Sequence, residues 1–421
     1  MDFHQTVLPS GIRVVTEPMA SVRSSALGFW LGVGSRDEQG TEQGASHFLE
    51  HLLFKGTERR TAKQIAEEID AVGGDLNAFT SKEYTCYYAR VLDHDLPVAS
   101  HLLADIIGSA RIAETDVEHE RHVVLEEINI HVDTPEELVH SDFAKVLFGG
   151  HSLAREVLGT ANSVEAMSRD QVYDYYARHY RPMNLTVAVA GNVDHERVVD
   201  IAASMVGDLG RPGGERPQRV SPTHYAGGEV AIRSRPTEQA HVVVGARGLS
   251  RNDNRRHAQY VLNAILGGAM SSRLFQEIRE ERGLAYSTYS YHSSYHDGGY
   301  LGAYAGTTPG KVDELLKVLC DELDRLPQTI EAHEVERAKG NVKGGMVLGL
   351  EDTSSRMTRI GKMVATGAEL VSVDEALARV DAVEVDAVRQ LASDLLGAPR
   401  CLAVVGPFEP EDSERFAGYV R

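Results

Sequence analysis

Two stretches of the chain resemble one another at nearly the same offset, and no other feature narrows the fold as much. The segment LTVAVAGNVD, around Ala188 to Gly191, recurs as CLAVVGPFE around Ala403 to Gly406. Upstream, GGDLNAFTSKEYTCYYARV from Gly73 has a counterpart in GLAYSTYSYHSSYHDGGYLGAYAG from Gly283. The two offsets, about 215 and 210 positions, agree within loop variation, so a unit of roughly 200 residues is duplicated. A chain of 421 residues with 42% hydrophobic content can bury a core in each copy. The stretch DLGRPGGERPQRVSPT, Asp208 to Thr223, is rich in Gly, Pro and Arg and poor in apolar residues, as a connector is. The expected division is therefore a first domain over 1–207, a linker over 208–223 and a second domain over 224–421.

Within each copy the hydrophobic period switches between strand and helix. Gly11–Glu17 and Ser24–Val33 read as strands. Thr61 with Gln64 forms a capping box, Ile65, Ile69 and Val72 supply a helical stripe, and Gly73-Gly74 ends it. Thr115 with Glu118 repeats the box at the head of a helix expected to run to about His131. Strand runs mixed with helices, with few strictly alternating βαβ units, predict an α+β fold with antiparallel or mixed sheets.

The formal charge of −19, from 43 Lys plus Arg against 62 Asp plus Glu, disfavours a nucleic-acid partner, which needs a basic face. No apolar run approaches the roughly 18 residues that span a bilayer, and the first residues carry no apolar leader segment, so no membrane partner is expected and a cytoplasmic location is. Cys86, Cys320 and Cys401 are widely separated and form no C-x-x-C pair, which predicts free thiols and no thiolate metal site.

Chemistry concentrates in ASHFLEHLLFKGT. On a helix His47 and His51 lie one above the other, four residues apart, so both can bind one ion from one face, with Glu50 beside them. This H-x-x-E-H order is the inverted form of the zinc-peptidase signature. Phe48, Leu49, Leu52 and Leu53 occupy the rest of the helix surface, and Gly56 supplies the stop. A catalytic zinc site takes three protein ligands and keeps an open position, so a third ligand must come from elsewhere. The helix DVEHERHVVLEEINIHV offers Glu120 and Glu127 on one face and Glu126 about 100° away.

HFLEHLLFKGT, GGDLNAFTSKEYTCYY and a Glu placed 76 positions after the second His together resemble the pitrilysin and insulysin family of inverted zinc metallopeptidases. The similarity is closer to its processing-peptidase branch. It extends over the whole chain, through REERGLAYSTYS and the weaker EVERAKGNVKGGMVLGLED. The resemblance implies two similar α+β domains closing like a clam shell around a chamber, with metal in the first half only. The matching helix of the second half, within HAQYVLNAILGGAMSSRLF, has no histidines four apart. It also implies one Zn²⁺ per chain on His47, His51 and Glu127, with Glu50 as general base toward a water. Asn77, Ala78 and Phe79 would bind the substrate as an added strand, and Glu120 is the branch's additional acidic residue, expected at the substrate. Arg279 and Tyr286 would act on the scissile carbonyl or developing oxyanion from the second half. The expected substrates are peptides or unfolded segments, with basic ones favoured if part of the −19 charge lines the chamber. A homodimer is the expected assembly. The alternative is a catalytically silent partner or structural subunit of the kind the family also contains.

Overall fold

The computed structural model describes residues 3–205, 207 and 215–420. The 208–214 portion of the expected linker lies outside the described residues. The chain divides into two compact units, one comprising Met1–Asn129, Arg155–Arg219 and Gly349–Ser372, the other Ile130–Ala154, Val220–Leu348 and Val373–Arg421. Both are mixed α+β, as expected, and each holds one sheet.

The strands of the first unit are β1 (His4–Val7), β2 (Arg13–Pro18), β3 (Ser24–Leu31), β4 (Asp75–Thr80), β5 (Thr85–Leu92) and β6 (Leu185–Gly191). They form a six-stranded sheet in the order β1-β2-β6-β3-β5-β4, in which only the β2–β6 pair is parallel. The second unit has β7 (Val230–Ser234), β8 (Ala240–Arg247), β9 (Ala285–Ser294), β10 (Gly299–Thr307) and β11 (Cys401–Gly406), ordered β7-β11-β8-β10-β9. Again one pair, β7–β11, is parallel. The second sheet thus repeats the first without β1. The two recurring sequence segments take matching places, as β6 and β11 and as the hairpins β4–β5 and β9–β10.

The units are not the contiguous halves 1–207 and 224–421 drawn from the sequence, because each takes a segment from the other half of the chain. In the first unit, the helix Thr353–Ala365 packs on β2, β3 and β6. Alternation along β3 turns Ala26, Gly28 and Trp30 toward this helix, where Trp30 Nε1 lies 3.4 Å from Met357 Sδ. The Arg13 guanidinium donates to the Val364 carbonyl at 2.8 Å, and Arg356 pairs with the buried Glu17. In the second unit, α5 (Pro135–Phe148) packs on β7, β8 and β11. There Arg233 grips Asp142 through two bonds of 2.5 Å, and Phe143 fills the space above Gly245. Residues 215–223 form no helix or strand, and Arg219 is bound to the first unit by Asp37 and by the Gly32 and Glu83 carbonyls.

The remaining elements that build the site are α1 (Ala45–Leu53), α2 (Ala62–Ala71), α3 (Leu96–Gly108) and α4 (Glu114–Val132). The Thr61–Gln64 box caps α2, and Gly73 leaves it at φ +61°. The second box is not formed. The amides of Asp116 and Val117 bond the Ala113 carbonyl, so Thr115 already lies inside α4, and Glu118 pairs with Arg121 instead. Cys86, Cys320 and Cys401 are buried free thiols. Among the described residues, no helix is long and apolar enough to cross a membrane.

Candidate metal centre

Helix α1 buries Phe48, Leu49, Leu52 and Leu53 completely or nearly so, which turns His47, Glu50 and His51 to its other side. Its start has no side-chain cap of its own, since Gly44 occupies the N-cap at φ +93°. A carboxylate from outside the helix fills that role. Glu38 accepts the Gly44 amide at 2.8 Å and the Ser46 amide at 2.9 Å, holding the two groups that begin the metal helix. Burial pushes the Glu38 carboxyl up to about 8, with the amide donors working in the opposite direction. Its neighbours Arg36 and Asp37 are also buried, paired with Glu83 at 2.7 Å and Arg219 at 2.8 Å.

Helix α4 brings Glu127 to the histidines. Its Oε2 lies 3.4 Å from His47 Nε2 and 3.5 Å from His51 Nε2. A tetrahedral ion with bonds of about 2.0–2.1 Å separates its ligand atoms by about 3.3 Å, so these spacings fit a zinc-sized ion. Glu127 Oε2 is buried with no hydrogen-bond partner, as a ligand atom facing two imidazole nitrogens would be. Of the three carboxylates the sequence leaves open, Glu126 is exposed on α4 and Glu127 is the one in the cluster. Burial, reinforced by the His51 ring, pulls His47 down to about 4 in the metal-free protein, so its imidazole is neutral and able to ligate.

Glu120, expected at the substrate, has both oxygens engaged within the protein. Oε2 lies 3.1 Å from His51 Nδ1, and Oε1 lies 2.6 Å from Lys55 Nζ. Its side chain is only 7% exposed, against the Nδ1 side of the His51 ring. This fixes the tautomer that leaves His51 Nε2 free to ligate. His47 Nδ1, by contrast, is buried without a partner. Sequence reasoning missed Lys55, which lies in the turn just past the end of α1, four residues after His51.

Glu50 is held by Thr80, whose hydroxyl donates to Oε2 at 2.5 Å. Burial raises the Glu50 carboxyl above its usual range, while the Thr80 bond and His51 draw it down and Glu127 pushes it up. Asn77, Ala78 and Phe79 lie on β4, the edge strand, whose outer side has no strand partner among the described residues. Phe79 stacks edge-on to Trp30 at 5.6 Å.

In the second unit, Arg279 and Tyr286 are together. The Arg279 guanidinium sits over the Tyr286 ring at 4.6 Å and over Phe275 at 4.7 Å, and donates to the Tyr286 carbonyl at 3.4 Å. Tyr286 is 82% exposed. Arg279 belongs to a π-helical stretch, Phe275–Glu281, a wider winding that shifts its register relative to an α-helix.

Two imidazoles and a carboxylate lie at ligand spacing, with a second carboxylate beside them, a donor set able to hold a metal ion. The chain belongs to the M16 family of peptidases, that of pitrilysin and insulysin. Residues 13–161 match the family model described as Insulinase (Peptidase family M16), and residues 166–342 match the Peptidase M16 inactive domain. Among similar proteins, an uncharacterized zinc protease of Streptomyces coelicolor is 49% identical over 98% of this chain and 91% of its own. An uncharacterized zinc protease of Bacillus subtilis is 39% identical over 94% of this chain and 97% of its own. The same fold is seen in the peptidase M16 inactive domain from Pseudomonas fluorescens, with a TM-score of 0.90 at 20% identity over 97% of this chain and 99% of that one. A protease from Helicobacter pylori gives a TM-score of 0.89 at 21% identity, covering 96% and 99%.

Proposed function

We propose that the chain is a zinc-dependent endopeptidase acting on peptides or unfolded segments. The observation that carries this is the cluster itself: His47, His51 and Glu127 oxygen and nitrogen atoms at ligand spacing, with Glu50 fixed next to them. When bound, the ion supplies Lewis-acid polarisation of a carbonyl and acidification of a water. The chain's own residues do the rest. His47 and His51 present neutral nitrogens, Glu120 holds the His51 ring, and Glu50 takes a proton from water and returns it to the leaving amine. In the metal-free protein burial raises the Glu50 carboxyl above its usual range.

The open side of β4 supports a substrate bound as an added strand, fixed by main-chain bonds whatever its side chains. Arg279 and Tyr286 are assigned to the carbonyl or oxyanion on the strength of the family resemblance, and the exposure of Tyr286 is compatible with that role. A homodimer and a cytoplasmic setting complete the proposal. The test is the metal content of the purified protein together with mass-spectrometric mapping of cuts in a peptide library. Stoichiometric zinc with chelator-sensitive cleavage supports an endopeptidase, whereas bound zinc with no cut in any peptide supports a silent subunit.

A further inference from the structure

We infer that Thr80 is a positioning residue for the general base, coupling the substrate-binding strand to the catalytic carboxylate. This rests on the endopeptidase function proposed above. The Thr80 hydroxyl reaches across 30 residues of sequence to donate to Glu50 Oε2 at 2.5 Å. A threonine hydroxyl at a strand end has nearer backbone acceptors to satisfy it, so this long-range bond selects one orientation of the Glu50 side chain. With Oε2 committed to Thr80, the proton of an attacking water falls to Oε1. Hydrogen bonds with one ionised partner are about twice as strong as neutral ones, so the orientation is held firmly while Glu50 is charged.

The placement of Thr80 supplies the coupling. It is the last residue of β4, pairs in register with Thr85 on β5, and shares a strand with Asn77, Ala78 and Phe79. Alternation puts Phe79 on the face of Trp30 and turns Ala78 and Thr80 to the opposite face, toward α1. One short strand therefore offers its open edge to the peptide and its terminal hydroxyl to the base. A peptide that pairs along β4 fixes the strand in register, and the same strand fixes the carboxylate, so the water's acceptor and the scissile bond share one frame.

The experiment compares Thr80→Val, which keeps shape and strand preference but removes the hydroxyl, with Thr80→Ser, which restores it. In zinc-loaded protein, Thr80→Val is expected to lower kcat by about 10- to 100-fold with KM changed by no more than about twofold and zinc content unaltered. Thr80→Ser should recover most of the lost kcat. Independently of activity, in metal-free protein Thr80→Val should lower the thermal midpoint clearly more than the same change made in a Glu50→Ala background. Thr80→Ala carries the same expectations and stands in if valine impairs folding. Parental kcat in the variants lacking the hydroxyl, or equal midpoint shifts in the two backgrounds, overturns the inference alone. A parent chain that binds zinc and cleaves no peptide overturns the proposed function, and the inference with it.

Discussion

Replacing Glu120 should weaken metal binding without touching a metal ligand. Its carboxylate lies 3.1 Å from His51 Nδ1 and 2.6 Å from the Lys55 ammonium, with the side chain 7% exposed. Such a partner raises the basicity of the ligating nitrogen and holds the ring, and its loss typically costs 10- to 100-fold in affinity, or about 1.4–2.7 kcal/mol. The two substitutions should fall at different ends of that range. In Glu120→Gln the amide oxygen can still accept from His51 Nδ1, but the negative charge is gone and Lys55 loses its partner, so a loss near 10-fold is expected. In Glu120→Ala the ring loses its acceptor as well, and the loss should approach 100-fold. Competition of each variant with a chelator of known zinc affinity measures this directly. Equal affinities for parent and both variants would mean that Glu120 gives His51 no support as a ligand. A fall in turnover with affinity intact would return Glu120 to the substrate role expected from the sequence.

Other consequences can be checked separately. A side chain at Gly361 would overlap the Trp30 indole, so Gly361→Ala should destabilise the first unit by about 1–3 kcal/mol from overpacking, despite the roughly 1 kcal/mol that alanine normally contributes in a helix; a rise in thermal midpoint would contradict the docking of this helix. His140 is held at about 4 by burial and by His241, with its ring between the Tyr291 hydroxyl at 2.6 Å and the Tyr289 hydroxyl at 3.0 Å. Because this is below the unfolded value near 6.5, its contribution to stability is complete above about pH 6.5 and is lost as the pH falls toward 4. Thermal melts across that window should show the loss, with a shallower one in His140→Gln. Arg279→Ala and Tyr286→Phe should each lower kcat/KM for peptide cleavage by at least about 10-fold while leaving zinc content unchanged; parental kinetics in both would remove the second unit from the chemistry.

Local chemistry makes most of the metal centre legible in the sequence. His47, Glu50 and His51 share one helix, so their relation follows from helical geometry alone, and the apolar residues between them fix which side is buried. The third carboxylate is harder, because spacing along α4 leaves both Glu120 and Glu127 on one face; the family resemblance selects Glu127, and the physical separation, Glu127 at both Nε2 atoms and Glu120 at His51 Nδ1, comes from tertiary packing. The duplication likewise predicts strands in matching places. What it does not reveal is that the helices Pro135–Phe148 and Thr353–Ala365 each join the sheet of the other half. An amphipathic pattern states that a helix buries one face, not which sheet receives it. Charged residues are seldom buried unless paired, and Arg36, Asp37 and Glu38 are buried because Glu83, Arg219 and the amides opening α1 receive their charges. Thr80 carries no signal beyond ending a strand, since its partner is set by the approach of β4 to α1.

The proposed function stands on Glu50 as the proton acceptor at a zinc centre formed by His47, His51 and Glu127. Its most direct measurement is a parallel determination of zinc content and cleavage of a quenched peptide for the parent and Glu50→Gln. Equal zinc is expected in both, with cleavage by the parent and none by the variant. Cleavage by Glu50→Gln at the parental rate would contradict that role.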